Sequence, residues 1–300
     1  MSVYKRILVL INPTDKQQPA LSRAIELAEK FGSHITLLSC IYDVNYEYTH
    51  VLNKDERKSL KEALLTHELK ALHALVQEYQ MSEISNVEVI WHKKLYQGAV
   101  DVARKHDCDL IVKATKAHSK IMQRIFTPND WNLLRYSPVN VLMVKDHEWP
   151  QNGKMIAAIS INDSDDEHTW LSKQVASEAM EMARMFEADL HLVNTYLGAP
   201  AHISIEVPQF SADTYNANVL QQHTAELNKI ADSIKLSHDC VHVKEGLPED
   251  IIPDICARQD AELLILGSVG RKGLPAALLG NTAEHIVDSI NCDTLVVKPK

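Results

Sequence analysis

The stretch Leu263-Leu264-Ile265-Leu266-Gly267-Ser268-Val269-Gly270 decides the fold. An unbroken apolar run reads as a strand covered on both faces, as in a parallel sheet. The run stops at Gly267. Gly270 follows, then Gly280, then a helical stretch opened by Asn281-Thr282, then Leu295-Val296-Val297 as the next strand. Glycines let the backbone reach φ > 0 and approach a ligand closely. The amides at a helix start suit an anion such as phosphate. Gly267, Gly270 and Gly280 are therefore a candidate phosphate cradle, with Ser268, Asn281 and Thr282 adding hydroxyl or amide contacts. Asn281-Thr282-Ala283-Glu284 also reads as a capping box with Asn281 as the cap. The two readings are compatible, because a capped helix start can still receive an anion.

Outward from this stretch the chain repeats itself. From about residue 88 the halves align without a gap at an offset of 153: Asp109-Leu110-Ile111-Val112 falls on Glu262-Leu263-Leu264-Ile265. Ile7 to Ile11 matches Ile156 to Ile159 as first strand, and the following helices match with Lys30-Phe31 on Met185-Phe186. Lys54 to Met81 reads as a long amphipathic helix with Leu60, Leu64, Ala71, Leu75 and Tyr79 on one stripe. Val219 to Ile234 is its partner in the second half. A tandem repeat of one βαβ-type unit is the simplest account. The predicted architecture is α/β: two tandem open, mostly parallel five-stranded sheets with helices on both faces. The domains are residues 1–147 and 153–300, joined by the polar stretch Asp146 to Gly153. In such sheets ligands bind beyond the strand C-termini, where strand order reverses.

Composition bounds the rest. The chain has 300 residues and a net charge of −9. Residues 1–150 carry 20 Lys and Arg against 18 Asp and Glu, net +2; residues 151–300 carry 11 against 22, net −11. The acidic second half argues against direct nucleic-acid binding, which depends on phosphate neutralisation. No apolar run approaches the roughly 20 residues that span a bilayer, so no membrane insertion is expected. Met1 to Arg6 leads into a strand without a signal-peptide core. Cys40, Cys108, Cys240, Cys256 and Cys292 form no disulfide framework, which favours a reducing cytoplasm.

The G-x2-G-x9-G pattern and the tandem repeat resemble the universal stress protein family over nearly the whole chain. The resemblance implies an adenine-nucleotide-binding α/β fold, ATP binding in some members, cytoplasmic location and a role in stress survival, including DNA damage. It also implies pairing through the fifth strands, here Val139 to Val144 and Asp293 to Val297. A tandem chain can satisfy both strands internally, and a homodimer is a further arrangement. The family usually has Ser or Thr after the last glycine, where this chain has Asn281. Its ATP binders usually carry Asp at the end of strand one. Here Asn12 and Ser160 stand there, with Asp15 and Asp163 a few residues on. Ser160, Asp163 and Val193 complete the candidate binding set.

The first-half loop has lost its glycines. Ala114, Ala117 and Thr127 replace Gly267, Gly270 and Gly280, and Pro128, lacking an N–H, replaces Asn281. No nucleotide site of the family type is expected there. Lys113, Lys116, Lys120 and Arg124 in this loop read as a solvated basic face, with point-charge binding of an anionic ligand as the alternative. His238, Cys240 and His242 are a zinc candidate, because i, i+2 and i+4 share one face of a strand. There is no Walker loop, no dinucleotide fingerprint after either first strand and no nucleophile elbow. No catalytic residue is expected. A ligand-binding regulator is the leading reading; a slow ATPase using the same loop and a ligand-independent scaffold are the alternatives.

Overall fold

The computed structural model describes residues 4–48, 52–79, 84–117, 124–161, 166–200, 210–268 and 279–299. Two compact units emerge, Met1–His147 and Glu148–Lys300.

In the first unit the principal strands are β1 (Arg6–Leu10), β2 (His34–Ile41), β3 (Ile84–Trp91), β4 (Leu110–Ala114) and β7 (Asn140–Val144). All pair in parallel, in the order β3-β2-β1-β4-β7. A short antiparallel ribbon, β5 (Lys116–Ala117) with β6 (Arg124–Ile125), lies outside that sheet. Ile7 to Leu10 are all buried, so both faces of β1 are covered, as the unbroken apolar run requires. Helix α1 (Pro19–Phe31) covers part of the sheet with Leu21, Ala24, Leu27 and Ala28. It ends where Gly32 turns left-handed at φ 69° and donates its N–H to the Ala28 carbonyl. After the short α2 (Val44–Tyr48), α3 (Lys54–Tyr79) packs on β2 and β3. Its buried residues are Leu72 and Leu75; Leu60 is 41% exposed. The single long stripe drawn from the sequence thus overstates the helix's contact with the sheet. Helices α4 (Leu95–Lys105) and α5 (Pro128–Tyr136) complete the unit.

The second unit repeats the plan with β8 (Lys154–Ala158), β9 (Asp189–Tyr196), β10 (Val241–Glu245), β11 (Ala261–Gly267) and β12 (Asp293–Val297). The order is β10-β9-β8-β11-β12, again all parallel. Helix α6 (Asp166–Phe186) packs on β8, β9 and β11. Helix α7 (Ala212–Ile234) packs on β9 and β10, and α8 (Pro248–Gln259) contacts α9 (Asn281–Ser289). Trp149 lies in the stretch expected as a polar connector, yet it is buried. Its indole N–H donates to Asp293 Oδ2 at 3.1 Å and its ring meets Phe186 edge-on. The indole satisfies its polar edge while hiding its apolar body, which ties these residues to the second unit.

Candidate functional site

In the second unit the strand order reverses between β8 and β11. A cavity of about 300 Å³ opens there, beyond the strand C-termini. Ala158 ends β8 and Ser160 follows it, Val193 and Asn194 come from β9, and Gly267 ends β11. Gly280, Thr282 and Ala283 contribute the start of α9. The described lining contains no charged side chain.

The glycines play different parts. A Cβ on Gly267 would lie 2.8 Å from Leu171 Cδ2 and 2.9 Å from its Cγ. Gly267 is therefore required by the packing of α6 over β11. Among the described residues a Cβ on Gly280 would meet nothing within 4 Å, and Gly280 has φ −72°. It leaves free space at the cavity wall. Gly280, rather than Asn281, is the N-cap of α9, and its carbonyl accepts from the Glu284 N–H at 3.0 Å. Asn281 is already helical, so the capping box expected there does not form. Among the described residues no side chain caps α9. Its first-turn amides carry the partial positive charge of a helix start at the cavity edge.

The structure brings Ser160, Val193, Gly267, Gly280 and Thr282 to one cavity. Ser268 is fully buried, and its Oγ accepts from Lys298 Nζ at 3.3 Å. Burial lowers the Lys298 amine to about 7. Asn281 is exposed, outside the cavity lining. Asp163 and Gly270 lie outside the described residues. Sequence reasoning missed Leu171, Asn194, Ile252 and Ala283, all of which line the cavity. Asn194 was adjacent to a named residue at a strand end; the helical residues carried no signal beyond apolar spacing.

The first unit fills the same place with its own charges. At the offset of 153, Leu266 and Ala283 of the cavity correspond to Lys113 and Asp130. Lys113 Nζ lies 2.5 Å from Asp130 Oδ1, with side-chain exposures of 11% and 0%. Lys113 also donates to the Ala114 carbonyl at 3.0 Å. Lys113 is therefore a buried, paired charge and not part of a solvated face. Of the other cations in that loop, Lys120 lies outside the described residues, and only the backbones of Lys116 and Arg124 are described. Thr127, in the place of Gly280, caps α5: Asp130 N–H donates to Thr127 Oγ1 at 3.3 Å, and Thr127 N–H donates to Asp130 Oδ2 at 2.7 Å. The helix start that is open in the second unit is closed here by its own side chains.

The zinc expectation fails on local geometry. His238, Cys240 and His242 do not share a strand face, because His238–Cys240 form a 3₁₀ turn and β10 starts only at Val241. Ser237 Oγ caps that turn by accepting from the Asp239 N–H. His238 Nε2 bonds Asp232 Oδ1 at 2.8 Å, while His242 Nε2 sits 3.0 Å from His191 Nδ1 on the neighbouring strand. Burial, then Asp189 and Asp239, push the Cys240 thiol up, away from the thiolate a metal needs. Among the described residues no group of three or more His, Cys, Asp or Glu could hold a metal ion.

The His191–His242 pair has a thermodynamic consequence. Burial lowers the pKa of both rings. The charges of His242 and Lys154 lower His191 further, partly offset by Asp189, and Lys244 lowers His242. Below about pH 6.5 an unfolded histidine takes a proton that the folded ring still refuses. Stability therefore falls as pH drops through about 6.5 and levels off below the folded values. Urea unfolding of the second unit between pH 8 and 5 should show this decline. His191→Gln should flatten it; an unchanged slope would contradict the assignment.

This site and sheet order define an open α/β protein with a cavity at its topological switch point. The chain belongs to the universal stress protein family, whose sequence pattern matches residues 3–145 and again 168–298. It is 35% identical to universal stress protein E of Escherichia coli K12, over 100% of this chain and 95% of that one. It is 33% identical to the universal stress protein E homolog of Haemophilus influenzae, over 99% and 98% of the two chains. A functionally unknown protein of Pseudomonas aeruginosa PAO1 superposes with a TM-score of 0.76 at 27% identity, covering 99% of this chain and 94% of that one. No helix among the described residues is long and apolar enough to cross a membrane.

Proposed function

We propose that the second unit binds ATP or a related phospho-ligand, and that the chain is a cytoplasmic ligand-dependent regulator of stress resistance, including resistance to DNA damage. The stress role rests on family membership. The ligand reading rests on one observation above the others: at the switch-point cavity, no described side chain caps the start of α9 beside Gly280, whose missing side chain leaves space among the described residues. Backbone amides at an open helix start are a ready anion site. The apolar wall formed by Val193, Leu171 and Ile252 suits a base or sugar face. Binding is favoured over hydrolysis because the described lining holds no carboxylate, histidine or lysine to position water or metal. Native mass spectrometry of the freshly purified chain tests this. We expect one phosphate-bearing molecule per chain, or uptake of one on adding ATP, ADP or AMP. A bare chain that takes up none of them overturns the reading.

We further infer that the fifth strands β7 and β12 pair with one another, since each stands at the edge of its own unit's order and an open apolar edge invites association. Hydrogen exchange of the full chain should find protection also at the alternate amides of Asn140–Val144 and Asp293–Val297 that point away from β4 and β11. Fast exchange at those outward amides contradicts the pairing.

A further inference from the structure

Asn194 is 3% exposed and lines the cavity. Its Nδ2 donates to the Ile159 carbonyl at 2.8 Å. A carbonyl only accepts, so the nitrogen must face Ile159 and Oδ1 must face His223, whose Nδ1 lies 2.7 Å away. Nδ1 therefore carries the proton. Protonating the ring would add a hydrogen at Nε2 and leave this bond intact. His223 comes from α7, and its ring lies 5.7 Å from that of Tyr196. The Asn194 amide is thus clamped from both ends, with one N–H and one oxygen lone pair left over.

The first unit makes the same strand-to-helix contact with opposite polarity. At the offset of 155 that aligns β2 with β9, Asn194 corresponds to Ser39 and His223 to Glu68. Ser39 Oγ donates to Glu68 Oε1 at 2.6 Å, spending its single proton on the helix. In the second unit the helix donates instead, and the strand residue, which lines the cavity, keeps one donor and one acceptor.

Resting on the ligand reading above, we propose that His223 is a positioning residue that holds Asn194 as a fixed donor–acceptor edge, and that this edge reads a nucleobase presenting a ring nitrogen beside an exocyclic amine. An asparagine amide matches the N7 and amino group of adenine in this way. A hypoxanthine base replaces that amine with an acceptor and mismatches it.

The test is calorimetric titration of the full chain with AMP and with inosine monophosphate, beside ¹⁵N spectra of the His223 ring. Wild type should prefer AMP by about tenfold, the discrimination expected of one good bidentate pair. His223→Asn restores an amide N–H near the Nδ1 position and should keep that ratio within about threefold of wild type. His223→Asp opposes Oδ1 with an acceptor and should erase the preference in a protein that still melts cooperatively. A merely structural role would weaken both nucleotides alike and leave the ratio unchanged; that result overturns the inference. So does an Nε2–H tautomer in the ring spectrum. If neither nucleotide binds wild type, the nucleotide reading and the base-reading half of the inference fall together, while the ring spectrum still decides the positioning half.

Discussion

Lys113→Leu should be among the most destabilising single substitutions in the first unit. It leaves Asp130, 0% exposed, with an uncompensated charge in the interior. Breaking one side of a buried ion pair costs about 3–5 kcal/mol. At about 2–4 °C per kcal/mol for a unit of this size, the melting point should fall by roughly 10 °C. The double substitution Lys113→Leu with Asp130→Ala installs the residues that the second unit carries at these positions, Leu266 and Ala283. It removes both charges together, so most of the loss should be recovered. The residual deficit should be about 1 kcal/mol, for the lost contribution of Asp130 to the cap of α5. The double-mutant cycle isolates the coupling. A single variant that melts within 1 kcal/mol of wild type would show that the pair is not a buried structural unit.

The second large effect separates the two glycines. Gly280→Val should abolish ligand binding, or weaken it at least about tenfold, because the new side chain enters open space at the cavity wall. Its backbone angle is accessible to valine, so stability should change by no more than about 1 kcal/mol, the range of N-cap exchanges. Gly267→Ala should do the reverse. Its methyl meets Leu171 at 2.8 Å, and overpacking of this kind costs about 1–3 kcal/mol. Any loss of binding there should follow the loss of stability. Denaturant melts beside titrations check both arms; destabilisation by Gly280→Val with binding intact would reverse the assignment.

The parallel sheets were legible because Ile7 to Leu10 and Leu263 to Leu266 are unbroken apolar runs, and α1 stops where Gly32 permits the left-handed turn. The position of the cavity followed from strand order alone. What resisted reading was set by partners distant in sequence or by one residue of local geometry. Lys113 looked solvated because its counter-ion is 17 positions on, in another element. His238 and Cys240 looked like strand residues because nothing marked Ser237 as the cap of a 3₁₀ turn. Asn281 looked like a cap because its side chain suits one, yet the chain enters the helix one residue earlier, at Gly280. The clamp on Asn194 joins β9 to a residue 29 positions away in α7, which no periodicity reveals.

The most direct test of the central claim is the stoichiometry of ATP binding to the full chain, measured by calorimetry on wild type, Gly280→Val and Thr127→Gly. The account predicts one site in wild type, none in Gly280→Val, and still one in Thr127→Gly, because the Lys113–Asp130 pair continues to fill the first unit. Two equivalent sites in wild type, or one that survives Gly280→Val in a folded chain, would contradict it.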